Sequence, residues 1–533
     1  MGFFSDDSES ISSSDEENNA VDLCQELRWW SIEANATHSQ IRSLLKRLKP
    51  IHPELPSDPR TLLDTPTFTQ VKLIGKGSYV HIGLEKGLLS RLKFGTVNGT
   101  TNLGLDINID GLPLSDSTSV DCWPILARCR DLISSTPFCV GVYCGPCKPE
   151  SFELYLEDYI KEAKKLLPSG SLFEDVKFNV YIRCYICDAP ARAFVKCITY
   201  HTGYSACERC LCEVDHDGKR VLYESRVSTP RTDELFDRQE DENHHRGASP
   251  LKEIPGTLFV TMFILDHMHL IFQGVLKRFL HFLLEGKSNA RLRASEILSI
   301  SSKLSRKSQC KPQEFSRSVG PLNAVSRWKA TELRLFLLYV SIVVFFIEIP
   351  EEVYSLLLLF HVGCRIIFSP ELVKHHEYVD YAEGLFEAFV KHCADKTVCG
   401  PSFVVYNPHS LLHVCDDVRA FGVVTDNGAF PFENYLKTIK SLVKSGVHVP
   451  QQIARRLAER HNFIPTPRGA SATLSPVDWI DSKQEYRSIS CESYMLTPFT
   501  TQNSFFSFGH PECLGQVKRI VRERERWVSC CCS

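Results

Sequence analysis

The chain has 533 residues, 43% of them hydrophobic and 23% charged, with a formal net charge of −3. This is the composition of a folded globular protein of about two to four domains, and its net charge makes no argument for nucleic-acid binding by itself, so any such surface must be a local patch. The 22 cysteines read as reduced thiols of the cytosol or nucleus, with metal binding favoured over disulfides, because Met1-Gly2-Phe3-Phe4 runs into acid and not into a secretory signal.

Residues 1–19 are rich in serine and acid with almost nothing to bury, and they predict a disordered acidic tail. Residues 20–60 predict a small helical segment. Leu23, Leu27, Trp30 and Ile32, then Ile41, Leu44, Leu45 and Leu48, recur at near-helical spacing, with Thr37 or Ser39 as the cap between them. Prolines 50, 53, 56 and 59 mark a linker.

Residues 100–212 change to strands. Leu103 to Ile109 alternates into the turn signal Asp110-Gly111, and Ser119 to Arg128 and Phe138 to Tyr143 follow. Phe152 to Leu167 is patterned as an amphipathic helix, and Val176 to Cys187 is a strand rich in β-branched and aromatic residues. Periodicity alone gives an α/β domain. The order β-β-β-α-β, with an acid at the first strand and another ending the fourth, narrows it to the first part of an RNase H-like core.

Residues 213–405 read as a polar linker and then a mainly helical insertion. The apolar run Leu335 to Ile347 is too short to span a bilayer, and with Leu356 to Phe368 it predicts two buried helices joined at Ile349-Pro350. Lys287 to Arg317 holds eight Lys or Arg against Glu296 and Glu314, either a solvated face or a phosphate-contacting surface. Residues 406–460 close the core. They carry His409 and His413 at helical spacing, and a helix opened by Pro431 with Glu433 in its first turn. Residues 461–533 read as an irregular tail.

Three sets of residues carry chemistry. Asp110, Asp188 and Glu433 are hard oxygen donors of the kind two Mg²⁺ ions need for phosphoryl transfer. Each has a plain alternative: a turn residue, a helix cap, and an acid favoured at a helix N-terminus. Asp106, on the same strand face as Asp110, is the substitute for the first position. Cys207 and Cys210, as C-x-x-C, with His409 and His413, as H-x-x-x-H, have the ligand count of a zinc site closing the two ends of the insertion. Cys212, His216 and Cys415 compete for the same role. Asp266-x-x-His269 is a third pair, an accessory to the acids or a satisfied packing pair.

Several stretches together resemble one family. They are IDGLPL, WPIL, CDAPARAF, HTGYSACERC, PRTDEL, DHMHLIFQGV, KATELRLFLLY, YNPHSLLHVCDDVRAFG and AFPFENYLKTIKSLV, in one order from about residue 100 to 460. The chain resembles the DDE transposase domain of CACTA-Mirage-Chapaev elements in arthropods, and the same arrangement is similar to the catalytic core of the V(D)J recombinase. The resemblance implies an RNase H-like core interrupted by a helical insertion, with a catalytic triad at Asp110, Asp188 and Glu433. It also implies structural Zn²⁺ at Cys207, Cys210, His409 and His413, and a D-x-x-H pair at Asp266 and His269. The expected activity is Mg²⁺-dependent (or Mn²⁺-dependent) cutting and joining of double-stranded DNA at element ends and target, by a nuclear homo-oligomer without a membrane. The alternative is a non-catalytic DNA- or chromatin-binding host protein of the same ancestry, and a further one is a zinc-organised interaction module in which the three acids do not converge.

Overall fold

The structure is a computed structural model that describes residues 22–94, 97, 99–114, 120–132, 135–286, 290–308 and 315–461, together with strands between 473 and 532. The acidic tail expected over residues 1–19 lies outside the described residues. The chain divides into two compact units, one formed by residues 1–69 with 453–465, the other by residues 70–452 with 466–533.

In the first unit, α1 (Leu23–Glu33) and α2 (His38–Leu48) are joined by a turn that Thr37 converts into a capping box with Gln40. The short α3 (Pro59–Leu62) starts on Asp58 with proline in its first turn. Ile41, Leu45, Leu55, Leu62 and Leu63 bury a small core. Residues 453–461, helical, join this unit through Glu459. Its buried carboxylate accepts from His38 Nε2 (3.0 Å), Arg456 Nη1 (2.6 Å) and the Thr65 hydroxyl.

The second unit is a mixed α/β assembly around one twisted sheet. Its early elements are β1 (Lys72–Ile74), β2 (Gly77–His81), α4 (Leu84–Phe94), β3 (Asn102–Ile109), β4 (Leu112–Pro113), β5 (Asp121–Cys129) and β6 (Phe138–Gly145). There follow α5 (Phe152–Ser169), β7 (Ser171–Phe173), β8 (Val176–Cys187) and α6 (Ala189–Lys196). The hairpin β9 (Val214–His216) and β10 (Val221–Tyr223), then α7 (Asp233–Arg238) and β11 (Phe263–Leu265), come next. The sheet order is β1-β2-β6-β5-β3-β8-β11. Neighbours are antiparallel from β1 to β3, whereas β3, β8 and β11 run parallel. The amphipathic α5 buries Tyr155, Leu156, Tyr159 and Ala163 in the sheet's apolar core.

The sheet differs from the sequence expectation at both ends. It begins at residue 72, not near 100, and its last strand, β11, lies inside the stretch read as helical insertion. A three-residue strand such as Phe-Ile-Leu has no readable period. Cys122 and Cys144 also depart from the expectation of reduced thiols. They face each other across β5 and β6 with Cα atoms 4.2 Å apart and are bonded as a disulfide.

After β11 the chain is helical. A wide-turn helical segment, Met268–Leu276, runs into α8 (Lys277–Glu285), then α9 (Ala294–Ser308), α10 (Ala330–Leu335), α11 (Ser341–Phe345), α12 (Glu351–Ile367) and α13 (His376–Cys393). These helices share a second large core that includes Phe279, Phe336, Phe360 and Phe389. Among the described residues no helix is long and apolar enough to cross a membrane. α14 (Tyr406–Ser410), α15 (Val414–Phe421), α16 (Phe430–Leu442) and α17 (Val449–His461) complete the helices. The tail expected to be irregular instead carries six strands, β12 (Thr473–Ile480), β13 (Lys483–Ser490), β14 (Met495–Leu496), β15 (Phe505–Phe508), β16 (Cys513–Glu523) and β17 (Arg526–Cys532), paired antiparallel. Val517, Ile520 and Val521 supply strand propensity there that the surrounding basic residues mask in a reading by hydrophobicity.

Candidate active site and metal centre

The parallel strands β3, β8 and β11 end at one level, with Ile107 opposite Tyr185 and Leu265 opposite Cys187. The next residue after each strand is an aspartate, namely Asp110, Asp188 and Asp266. Carboxyl ends of adjacent parallel strands are where α/β sheets expose functional groups. Asp188 caps α6, its Oδ1 accepting from Ala191 N at 2.8 Å, while Pro190 occupies the first turn. The cap and the candidate ligand are therefore one residue, and Oδ2 is left for another partner. Asp110 Oδ1 accepts from Gly111 N at 2.7 Å.

Glu433 reaches the same edge through Asp266. The buried Asp266 accepts from Ala429 N at 2.7 Å, which pins the start of α16, and from the His269 backbone N at 3.0 Å and Nδ1 at 2.8 Å. Glu433 follows in the first turn of α16. Gly428, just before this helix, packs so tightly on His267 that a Cβ would lie 2.0 Å from the ring.

Charge couples these groups. Burial and then the Asp188 carboxylate push Asp110 up to about 8, with Glu433 adding to the shift and His269 opposing it. Burial also raises Glu433. His269 and Lys437 oppose that rise, while Asp266 and Asp188 add to it. Burial works against the His269 charge, but the bond to Asp266 and the charges of Asp266, Asp110 and Asp188 lift it to about 9. Asp266 is itself held low, because His269, His267 and the Ala429 N–H outweigh its burial. One imidazolium thus faces three carboxylates that repel one another. Such an oxygen-rich site with excess negative charge suits a hard divalent cation. Asp106, the substitute candidate, is committed elsewhere. It is fully buried, with oxygens taken by Arg128 (2.8 Å), Arg183 (2.6 Å) and Cys184 Sγ (3.3 Å).

The second cluster lies where the loop after α6 meets α14 and the short turn after it. Cys207 Sγ is 3.6 Å from Cys210 Sγ and 3.7 Å from His413 Nε2, and Cys210 Sγ is 3.3 Å from His409 Nε2. A tetrahedral zinc ion with ordinary Zn–S and Zn–N bonds sets its ligand atoms roughly 3.5–3.8 Å apart, so the spacing fits. Cys207, Cys210, Cys212 and His409 group their donor atoms within 4.8 Å of one another and could hold a metal ion such as zinc. His409 Nδ1 lies 2.8 Å from the Glu224 carbonyl, the outer contact that directs Nε2 at a metal. Burial opposes ionisation of Cys207, yet hydrogen bonds from Cys210, Cys212, His409 and His413 hold its thiol well below the ordinary range. Of the competing ligands, Cys212 joins the cluster. His216 lies exposed in the β9–β10 hairpin, and Cys415 is buried near Glu383 and Arg419.

Between the two clusters runs a buried ionic network that sequence reading missed. Glu208, inside the C-x-x-C loop, accepts from Arg192 (2.9 Å), Lys196 (2.6 Å) and Tyr406 (2.6 Å). Arg209 bonds Asp417 (2.7 Å) and the Phe263 carbonyl (2.9 Å), while Asp417 accepts from Leu265 N (2.7 Å). These contacts tie β11 and α15 to the cysteine loop. The only sequence signal was charge within otherwise apolar stretches, at Arg192, Lys196 and Glu208. Lys437, which faces Glu433, was also missed, although its four-residue spacing on a helix could have pointed to it.

In the basic tract, Arg291, Arg293, Arg306, Lys307 and Arg317 are exposed, and Lys303 pairs with Glu348 at 2.7 Å. Lys287 and Lys311 lie outside the described residues. The chain matches no protein-family model and no curated protein.

Proposed function

We propose that the chain is a DNA transposase, or a protein derived from one, which cuts and joins DNA by phosphoryl transfer at Asp110, Asp188 and Glu433. The observation that carries this reading is the electrostatic coupling of Asp110 and Asp188, at the ends of β3 and β8, with Glu433 in α16, each charge felt by at least one other. The strand order β6-β5-β3-β8-β11, two antiparallel pairings followed by two parallel ones, supports an RNase H-like core with the helices α8 to α13 in its insertion.

Asp110, Asp188 and Glu433 would hold two Mg²⁺ ions, which when bound activate a water or 3′-hydroxyl and stabilise the leaving oxygen. His269 offsets part of the carboxylate charge and offers a positive group to a phosphate oxygen. Asp266 positions it, and positions Glu433 through the Ala429 N–H. Cys207, Cys210, His409 and His413, with Cys212 beside them, would fix the insertion against the sheet around a structural zinc ion. DNA would follow the exposed arginines of residues 287–317, and the need to bring two ends together implies a homo-oligomer acting in the nucleus.

The test is strand cleavage and joining on an oligonucleotide carrying the sequence that flanks the coding region, in Mg²⁺. Wild type is expected to be active and Asp188→Ala to lose about a thousandfold or more. Equal behaviour of the two proteins would refute an enzymatic role and favour a non-catalytic DNA-binding protein.

A further inference from the structure

Away from the carboxylates, a cavity of about 550 Å³ opens between α8, the β9–β10 hairpin and α14. Its walls include Arg220, Lys277, Arg278 and His281, together with the side-chain amides of Gln273 and Asn407. Arg220 is exposed in the turn that joins β9 to β10, close enough to Asp217 to lower that carboxyl. Lys277 Nζ donates one bond to the Ser326 carbonyl at 2.7 Å, and burial, then the charge of exposed Lys329, lowers its pKa.

Arg278 is held in place on the cavity wall. Its guanidinium bonds the Phe403 carbonyl at 2.8 Å and the Ser402 carbonyl, and it stacks over Phe282 at 5.2 Å. Burial and then the Arg220 charge push it down to about 10, with Asp217 opposing the shift. Two nearby acids offset part of this charge. Glu285 is exposed and stands 3.8 Å from His281. Asp217 accepts from the backbone N–H groups of Lys219 (2.9 Å) and Arg220 (2.8 Å).

We propose that this cavity is a nucleotide-binding site, with phosphates held by Arg220, Lys277 and Arg278 and the base or sugar met by the amides of Gln273 and Asn407. The volume lies in the range of small-molecule sites. A fixed guanidinium beside an ammonium suits phosphate oxygens, and paired donor and acceptor atoms of a carboxamide match a base edge. Gly274 leaves the room this needs, since a Cβ there would meet Asn407 Nδ2 at 2.6 Å. The same chemistry is offered by a free nucleoside polyphosphate and by a nucleotide unit of a single DNA strand.

The experiment uses the full chain in EDTA, so that the carboxylate site takes no part, and follows a fluorescent ATP analogue. Unlabelled ATP, GTP, pyrophosphate and a single-stranded oligonucleotide are the competitors. Wild type is expected to bind the analogue, with ATP or GTP displacing it if the source is free nucleotide, and the oligonucleotide if the source is a strand. Arg220→Glu and Lys277→Gln should each weaken binding by about tenfold or more, while Asp188→Ala should leave it unchanged. Failure of wild type to bind, retention of binding in Arg220→Glu, or displacement by pyrophosphate as strong as by any nucleotide would each overturn the assignment. None of these outcomes bears on the carboxylates, so the site stands or falls apart from the transposase reading.

Discussion

Five donors, Cys207, Cys210, Cys212, His409 and His413, surround a space suited to one tetrahedral ion. Cys207 and Cys210 sit at the centre of the set, touching each other and one histidine each, while Cys212 and His413 compete for the remaining position. The purified protein is expected to carry one zinc per chain by elemental analysis. Cys207→Ser should lose it and unfold at lower temperature, since structural zinc contributes folding free energy directly. Cys212→Ser and His413→Ala should each retain zinc, and the double variant should not. Loss of zinc from Cys212→Ser alone would make Cys212 an obligatory ligand and His413 a bystander. At the carboxylates the residue-level lesson is different. Asp188 serves as helix cap and candidate ligand at once, so the plain and the chemical readings of this position do not compete.

Among the elements, the late helical segment of residues 453–461 depends on one buried acid. Burial alone would raise the Glu459 carboxyl, but the bonds from His38 and Thr65 and the Arg456 charge lower it instead. A carboxyl lowered on folding stabilises above its unfolded value, near the ordinary glutamate range, and that contribution is lost as pH falls through the folded value. Glu459→Gln should therefore destabilise the first unit at pH 7 by about 1–3 kcal/mol, as loss of charge-assisted bonds does. The difference from wild type should shrink as the solution is acidified. Hydrogen exchange in α1 and α2 at several pH values checks this, and a gap that stays constant down to pH 3 would contradict it. The elements legible in the sequence were those with a full period. The Asn102–Ile109 strand was bounded almost to the residue by alternation and a turn signal, the Val176–Cys187 strand by its β-branched and aromatic residues, and α5 by its apolar stripe. β11 was hidden because three apolar residues inside a longer apolar run fit strand or helix equally. β1, β2 and α4 carry mixed polar and glycine-containing segments, and their burial comes from the sheet they join.

Across the whole molecule, residues more than three hundred apart in sequence come within electrostatic reach of one another, as Asp110 and Glu433 do. The identity of the candidate acids was legible, since each stood at a strand end or helix start. What brings them together was not. The registration of β11 beside β8, the Asp266 bond to Ala429, and the Arg209–Asp417 pair are tertiary contacts with no local pattern. The central claim is that these carboxylates form one divalent-ion site, and Mn²⁺ binding followed by electron paramagnetic resonance tests it without any knowledge of the DNA sequence. Wild type is expected to take up Mn²⁺ in competition with Mg²⁺, and Asp110→Asn, Asp188→Asn and Glu433→Gln each to lose most of that uptake while keeping their zinc. Uptake that is absent in wild type, or equal in all four proteins, would contradict the account.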